Sequence, residues 1–203
     1  MAYSDFKTLL KVTTTFELTL EEKQHLFTEL EPREPSDYLQ RTLNEYVPLA
    51  NAINTEKARS ELIISPILLE VRRMFGFKVG FFSGTDFTVD PAVGLNGYCD
   101  YILTASREMY EIHSPVVTLV EAKNENIKGG LGQCIAEMVA AQRFNQQQGN
   151  EVTNIYGAVT TGTAWKFLKL RSQMVFIDLS DYYIKEVDKI LGILAYPFSE
   201  LKM

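Results

Sequence analysis

The sequence predicts an α/β protein in which helices flank a mixed central β-sheet. Residues 55–75 place apolar side chains at the spacing of a helix face. After Gly76 the pattern changes to that of β-strands, and a strong helical run, LGQCIAEMVAAQRFNQQQ, separates the first three strands from the later ones. A helix, three strands, a second helix and further strands are typical of a mixed sheet between layers of helices.

Each element has its own local signal. The first helix contains Pro66, so either the helix kinks there or a new helix begins. The run VVTLVEA is apolar up to its acid, which predicts a central strand covered on both faces. The predicted strands, rich in β-branched and aromatic residues, are FKVGFF, LNGYCDYILT, SPVVTLVEAK, NIYGAVTTG, TAWKFLKLR and MVFIDL. The run YYIKEVDKILGILAY predicts a final helix.

The chain length predicts one main domain. With 203 residues, of which 46% are hydrophobic, the chain can bury one sizeable core. We therefore expect an α/β domain over residues 56–203 and an N-terminal helical extension over residues 1–55. Within the extension, Thr19 and Glu22 have the spacing of a capping box, which predicts a short helix over TLEEKQHLFTEL.

Charge and cysteine content narrow the class of protein. A net charge of −6 argues against nonspecific coating of nucleic acid, but most Lys and Arg follow the acidic N-terminal part, so a local basic face is compatible with it. The two cysteines, Cys99 and Cys134, lie in apolar segments and predict buried free thiols in a reducing cytoplasm. No run of residues has the length and apolar character of a membrane span or of a secretion signal. We expect a cytoplasmic protein without membrane contact.

Three charged residues lie at the centre of the predicted sheet. Asp100 falls within the second strand, and Glu121 and Lys123 end the third strand on one face, with Ala122 pointing away. Charges at the end of an apolar strand are costly to bury without partners. If neighbouring strands bring Asp100 alongside, two carboxylates and an ammonium converge. Mg²⁺ commonly separates such acids, because it is held by one or two carboxylates together with a substrate phosphate.

The arrangement resembles the PD-(D/E)XK nuclease superfamily. The resemblance consists of Asp100, the triplet Glu121-Ala122-Lys123 and a following helix with Gln133, and it covers roughly residues 56–180. It implies a restriction-endonuclease-like core with the order αβββαβ. An E-x-K triplet alone is weak evidence, because such triplets usually mark a solvated face. The apolar strand before it, the acid on the preceding strand and the glycine turn into the helix give it weight.

The resemblance implies a function and roles for these residues. It implies a metal-dependent endonuclease, a phosphodiesterase that uses Mg²⁺ (or Mn²⁺) to cut DNA. Asp100, Glu121 and the carbonyl of Ala122 would hold the metal, and Lys123 would assist the nucleophile. A homodimer is a candidate assembly, because nucleases of this fold that cut both strands are often dimers.

Further site residues are carried over from the same resemblance. Many members place a glutamate of the first core helix in the metal shell, for which Glu61 is the first choice, Glu70 the second and Glu56 the third. Gln133 opens the helix after the motif and is a candidate catalytic residue. Some branches place a tyrosine four residues after this glutamine, whereas this chain has Glu137 there, on the same helix face as Gln133.

Two other classes of function compete with the nuclease. A catalytically inactive module of the same fold, serving in protein interaction or regulation, is favoured by the acidic net charge and by the lack of an obvious nucleic-acid-binding appendage. A small-molecule-binding α/β domain would need a phosphate or nucleotide motif, and the P-loop pattern is absent from NENIKGGLG.

Overall fold

The computed structural model describes residues 1–150 and 152–203. Within these ranges, helices cover both faces of one sheet of eight strands. The strands are β1 (Thr19–Glu21), β2 (Gly80–Asp86), β3 (Tyr98–Thr104), β4 (Val116–Ala122), β5 (Ile155–Thr160), β6 (Ala164–Arg171), β7 (Met174–Ile177) and β8 (Tyr182–Tyr183). The helices are α1 (Leu9–Phe16), α2 (Asp37–Ile53), α3 (Glu56–Arg59), α4 (Ser65–Met74), α5 (Ile127–Gln147) and α6 (Val187–Glu200).

The sheet is mixed, as the sequence predicts. Its strand order is β1-β7-β6-β5-β4-β3-β2, and β8 pairs with β6 beside this path. The pairs β1/β7 and β4/β5 are parallel, and the remaining pairs are antiparallel. The parallel strands β4 and β5 are connected through α5, whose length allows the chain to return to the end of the sheet at which β4 begins. None of the helices in the described ranges is both long and apolar enough to cross a membrane.

Two hydrophobic cores lie on opposite faces of the sheet. On one face, α5 and α1 pack against side chains such as Leu119 and Val159. On the other face, α2, α4 and α6 pack against side chains such as Val120 and Ala158. All seven residues of β4 are buried, which confirms the expectation of a central strand covered on both faces. Successive residues at the start of β4 face opposite cores, so both of these positions need apolar side chains.

Residues 1–55 contribute to the same cores. Phe6 and Val12 are fully buried in the core that contains α5, and Leu39 of α2 is fully buried in the other core. The predicted short helix at Thr19 is wrong, because Thr19–Glu21 forms strand β1, parallel to β7. A capping box is a local signal, whereas strand pairing at the sheet edge satisfies the backbone of this segment through a distant partner.

The structure resolves the alternatives at Pro66. The helical backbone continues from α3 through a single π-helical turn, Ser60–Ile64, into α4, and Pro66 lies in the first turn of α4. In this turn the N–H of Ser65 donates to the carbonyl of Ser60, five residues back. A proline has no N–H and its ring crowds the carbonyl four residues earlier, so a widened turn before Pro66 accommodates it without ending the helix.

Asn145 ties the end of α5 to the start of β4. Its side chain is 1% exposed, donates to the carbonyl of Val116 at 2.7 Å and accepts from the N–H of Val116 at 2.7 Å. Because both backbone groups of Val116 use this one side chain, its amide replaces a missing sheet partner.

We predict that Asn145→Ala lowers the free energy of unfolding by about 2–4 kcal/mol, because it leaves a buried N–H and a buried carbonyl without partners. Chemical denaturation measures the effect, with Gln146→Ala, an exposed position of the same helix, as the matched control. Equal stability of the two variants would contradict a bridging role of Asn145.

Candidate functional site

The paired ends of β3 and β4 bring the predicted acids together. Tyr101 pairs with Val120 in the antiparallel register, so Asp100 lies next to the end of β4. Its Oδ2 atom accepts the N–H of Ala122 at 2.8 Å, which replaces a backbone hydrogen bond where the two strands separate. Asp100 is half-buried. The structure therefore places one carboxylate of β3 directly beside the triplet at the end of β4.

Glu121 and Lys123 form a contact within this triplet. The side chain of Glu121 is 1% exposed and its Oε1 atom accepts from the Lys123 ammonium, whose side chain is 25% exposed. The N–H of Lys123 donates to the carbonyl of Thr160 at 2.8 Å, which fixes the backbone beside β5. Ala122 packs into the core on the face opposite α5. The alternation expected for a strand therefore holds to the last residue of β4.

Gly130, in the first turns of α5, allows the helix to approach this triplet closely. A Cβ atom on Gly130 would lie 3.1 Å from both Cγ and Cε of Lys123 and 2.7 Å from Cγ1 of Val159. The lysine stem therefore runs across the space that a side chain at position 130 would fill. A close approach, rather than phosphate binding, accounts for a glycine here.

Helix α5 adds a second buried acid. Glu137 is fully buried, and its Oε1 atom accepts from Nε2 of Gln133 at 3.2 Å. Helix α5 packs directly on β4, and the charge of Glu121 acts on the carboxyl group of Glu137, so the two side chains are near neighbours. By sequence, Glu137 departs from a family pattern but shares with Gln133 a helix face toward the site, and no metal role is predicted for it. The signal that could have found it is an acid within the buried run Cys134–Ala141, four residues after a polar Gln133.

Burial and mutual repulsion perturb these acids. Burial, together with the negative charge of Asp100, raises the pKa of Glu121 to about 8 and outweighs the attraction of Lys123. Burial and the charge of Glu121 raise the pKa of Glu137 well above its usual range. Burial lowers the pKa of Lys123, but Glu121 and Asp100 reverse the direction and raise it. In the absence of another cation, protons therefore relieve the repulsion between the acids.

Two carboxylate oxygens in this group have no hydrogen-bond partner. Oε2 of Glu121 and Oε2 of Glu137 are both buried and unpaired in the described part of the chain. Hard divalent cations prefer such oxygen atoms. Among residues 1–150 and 152–203, however, no three His, Cys, Asp or Glu side chains are already arranged to hold one metal ion. The residues fit a cation that takes one or two carboxylates and completes its shell with water or phosphate, as Mg²⁺ does.

The structure does not bring Glu61 into this group. Its side chain is 63% exposed, and its Oε1 atom lies 3.8 Å from Nζ of Lys57. A metal role for Glu61 stays a prediction, and it would require the side chain to turn away from Lys57.

The two other glutamates of the first core helix lie elsewhere. Glu70, the second choice, is 3% exposed, but it accepts hydrogen bonds from the N–H of Ser36 at 2.8 Å and from the guanidinium of Arg73 at 3.3 Å. Glu56, the third choice, is exposed and lies near enough to Lys123 to contribute to its raised pKa. Of the three, Glu70 already has partners that explain its burial.

Comparison with protein families and with curated proteins finds no relative from which a function could be transferred. No family model matches the chain, and no curated protein matches its sequence significantly. The functional assignment therefore rests on the chemistry of the residues at the ends of β3 and β4 and on the facing side of α5.

We predict that the metal-free protein loses stability as the pH rises from about 5 to about 8. The pKa of Glu121 is about 8 in the folded protein against an ordinary value of 4.5, so the folded state binds the additional proton between these values. The free energy of unfolding contributed by this group is therefore fully present below pH 4.5 and is lost as the pH rises through 8. Glu121→Gln should flatten this dependence and be more stable than the wild type at pH 8–9.

The measurement is denaturant unfolding at a series of pH values with a chelator present. Glu125→Gln, at an exposed position between β4 and α5, is the matched control and should keep the wild-type slope. If Glu121→Gln and the wild type have the same pH profile, Glu121 does not titrate in this range.

Proposed function

We propose that this chain is a Mg²⁺-dependent phosphodiesterase, an endonuclease that acts on DNA. The observation that carries the proposal is the meeting of Asp100, Glu121 and Lys123 at the paired ends of β3 and β4. Two carboxylates beside one ammonium are the groups needed to hold a divalent cation and to stabilise charge on a phosphate. The resemblance to the PD-(D/E)XK superfamily is a second support for the proposal.

Asp100, Glu121 and the carbonyl of Ala122 are the proposed metal ligands. Glu121 has an unpaired buried oxygen, and Asp100 is anchored through the N–H of Ala122, which limits its freedom. Mn²⁺ is the alternative to Mg²⁺, because both accept carboxylate and carbonyl oxygens. A bound ion of this kind supplies Lewis-acid polarisation of the phosphodiester and activation of water.

Lys123 is proposed to stabilise the negative charge that develops on the phosphate. Its side chain is partly exposed, its stem lies against Gly130 and its ammonium contacts Glu121, so its position is defined before a substrate arrives. Such a preorganised donor needs little reorganisation during the reaction. Gln133, also named as a candidate catalytic residue, donates to Glu137 and thereby orients a carboxylate on the same side of the sheet.

The order of elements around the site supports the family proposal. The chain passes from α4 through β2, β3 and β4 into α5 and then β5. The proposed restriction-endonuclease-like core has the order αβββαβ, and this succession of elements supports it. A homodimer and a cytoplasmic location belong to the same proposal. Both cysteines, Cys99 and Cys134, are free and buried, which is compatible with a reducing compartment.

One observation favours the second candidate, a catalytically inactive module of this fold that serves in protein interaction or regulation. Glu121 is almost completely buried and already paired with Lys123, and the described residues contain no ready three-ligand metal group. A buried ion pair of this kind can persist as a structural remnant of a site. Metal binding and DNA cleavage separate the two candidates.

We predict that Lys123→Ala cleaves DNA about 10²- to 10³-fold more slowly than the wild type but binds Mn²⁺ at least as tightly. A charged lysine cannot be a metal ligand, and its removal relieves repulsion of the ion. Asp100→Ala should weaken Mn²⁺ binding itself, because it removes a negative ligand. Isothermal titration with Mn²⁺ and nicking of supercoiled plasmid measure the two effects.

The matched control is Lys185→Ala, which removes an exposed lysine from another part of the surface and should keep wild-type activity. Wild-type cleavage by Lys123→Ala would contradict the proposed site. Absence of both Mn²⁺ binding and cleavage in the wild type would favour the inactive module.

A further inference from the structure

Glu137 is a buried acid that the fold itself does not require. It lies within α5 among buried small and apolar side chains such as Ala136, Met138 and Ala140. One of its oxygens accepts a single hydrogen bond, from Gln133 at 3.2 Å, and the other has no partner. A fully buried carboxylate with an unpaired oxygen destabilises a core unless a cation or a proton compensates it. The compensation must come from the groups that face it.

The group that faces Glu137 is Glu121. The two carboxyl groups come from different elements, α5 and β4, which pack directly on each other. Each has one oxygen that is buried and unpaired, so both the helix and the strand present a free oxygen on the same side of the sheet. Carboxylate oxygens are the ligands that hard divalent cations take in proteins.

The charges of the group indicate the valence of that cation. Asp100, Glu121 and Glu137 carry three negative charges when ionised, and each influences the pKa of another member. Among residues 1–150 and 152–203, Lys123 contributes the one positive charge that forms a salt bridge with an acid of this group. Three negative charges against one positive charge leave an excess of two. A divalent cation would neutralise this excess, whereas a monovalent cation would not.

We infer that Glu137 is a further ligand of the divalent ion held by Glu121, and that the ion draws these side chains together, because no three of them already surround one point in the described residues. This inference rests on the proposed function, because it concerns the same ion. It makes Glu137, and not Glu61, the helical glutamate that binds the metal. The side chain of Glu61 is exposed and paired with Lys57. Gln133 is then a positioning residue, because its amide directs one oxygen of Glu137 and leaves the other free.

The experiment compares Mn²⁺ binding to the wild type, Glu137→Gln and Asp100→Asn by isothermal titration and by the shift of the thermal midpoint with Mn²⁺. Glu137→Gln has the size of the native side chain and removes a buried charge, so it is expected to fold. Glu137→Asp is a second variant, which keeps the charge but shortens its reach. Glu125→Gln, the same substitution at an exposed position, is the matched control.

We expect Glu137→Gln and Glu137→Asp to bind Mn²⁺ at least about tenfold more weakly than the wild type, since even an outer-sphere partner of a metal ligand is worth about 10- to 100-fold in affinity. The midpoint shift with Mn²⁺ should shrink in parallel, and Glu125→Gln should behave as the wild type. If Asp100→Asn loses affinity while both Glu137 variants keep it, the inference is overturned and the proposed metal site stands. If the wild type binds no Mn²⁺, both the inference and the proposed function fail.

Discussion

The carboxylate of Glu121 lies at the end of a strand that helices cover on both faces, and its burial constrains the surrounding structure. A carboxylate with 1% exposure cannot be solvated by bulk water, so its charge must be met by a neighbouring cation, a proton or hydrogen-bond donors. Lys123 supplies the nearest positive charge, and Glu137 and Asp100 add negative charge nearby. The ionisation of Glu121 is therefore linked to that of Lys123 and Glu137, and a change at one alters the others.

The site combines a rigid part from the sheet with an adjustable part from a helix. Asp100 is fixed through the N–H of Ala122, and Lys123 is fixed through the carbonyl of Thr160. Glu137 is directed only by the side-chain amide of Gln133. Groups held by backbone hydrogen bonds keep their positions when charge changes, whereas side-chain pairs within a helix face can readjust. The proposed cation would therefore meet the fixed end of a central strand and a responsive helix face.

Residues 1–16 contribute to the burial of this site, although they lie far from it in sequence. A Cβ atom on Gly132 would lie 2.3 Å from the carbonyl oxygen of Phe6, so the N-terminal segment packs directly on the backbone of α5. Burial of Tyr3, together with Cys99 and Glu137 nearby, raises the pKa of its hydroxyl above the usual range. By excluding water from this side of α5, the segment strengthens electrostatic interactions around Glu137.

The sequence by itself determined the class of fold, the central position of β4 and the alternation of Glu121, Ala122 and Lys123, because these follow from apolar periodicity and strand geometry. It also indicated that Asp100 belongs with the triplet. Only the tertiary structure decided that Thr19–Glu21 is a strand, that Glu61 faces solvent and that Glu137 faces Glu121. Two of these outcomes depend on partners more than 15 residues away, which are β7 for Thr19–Glu21 and β4 for Glu137. The exposure of Glu61 depends on how its helix is rotated against the sheet. Local patterns of residues do not encode such contacts, since the packing of whole elements determines which side of each helix becomes buried.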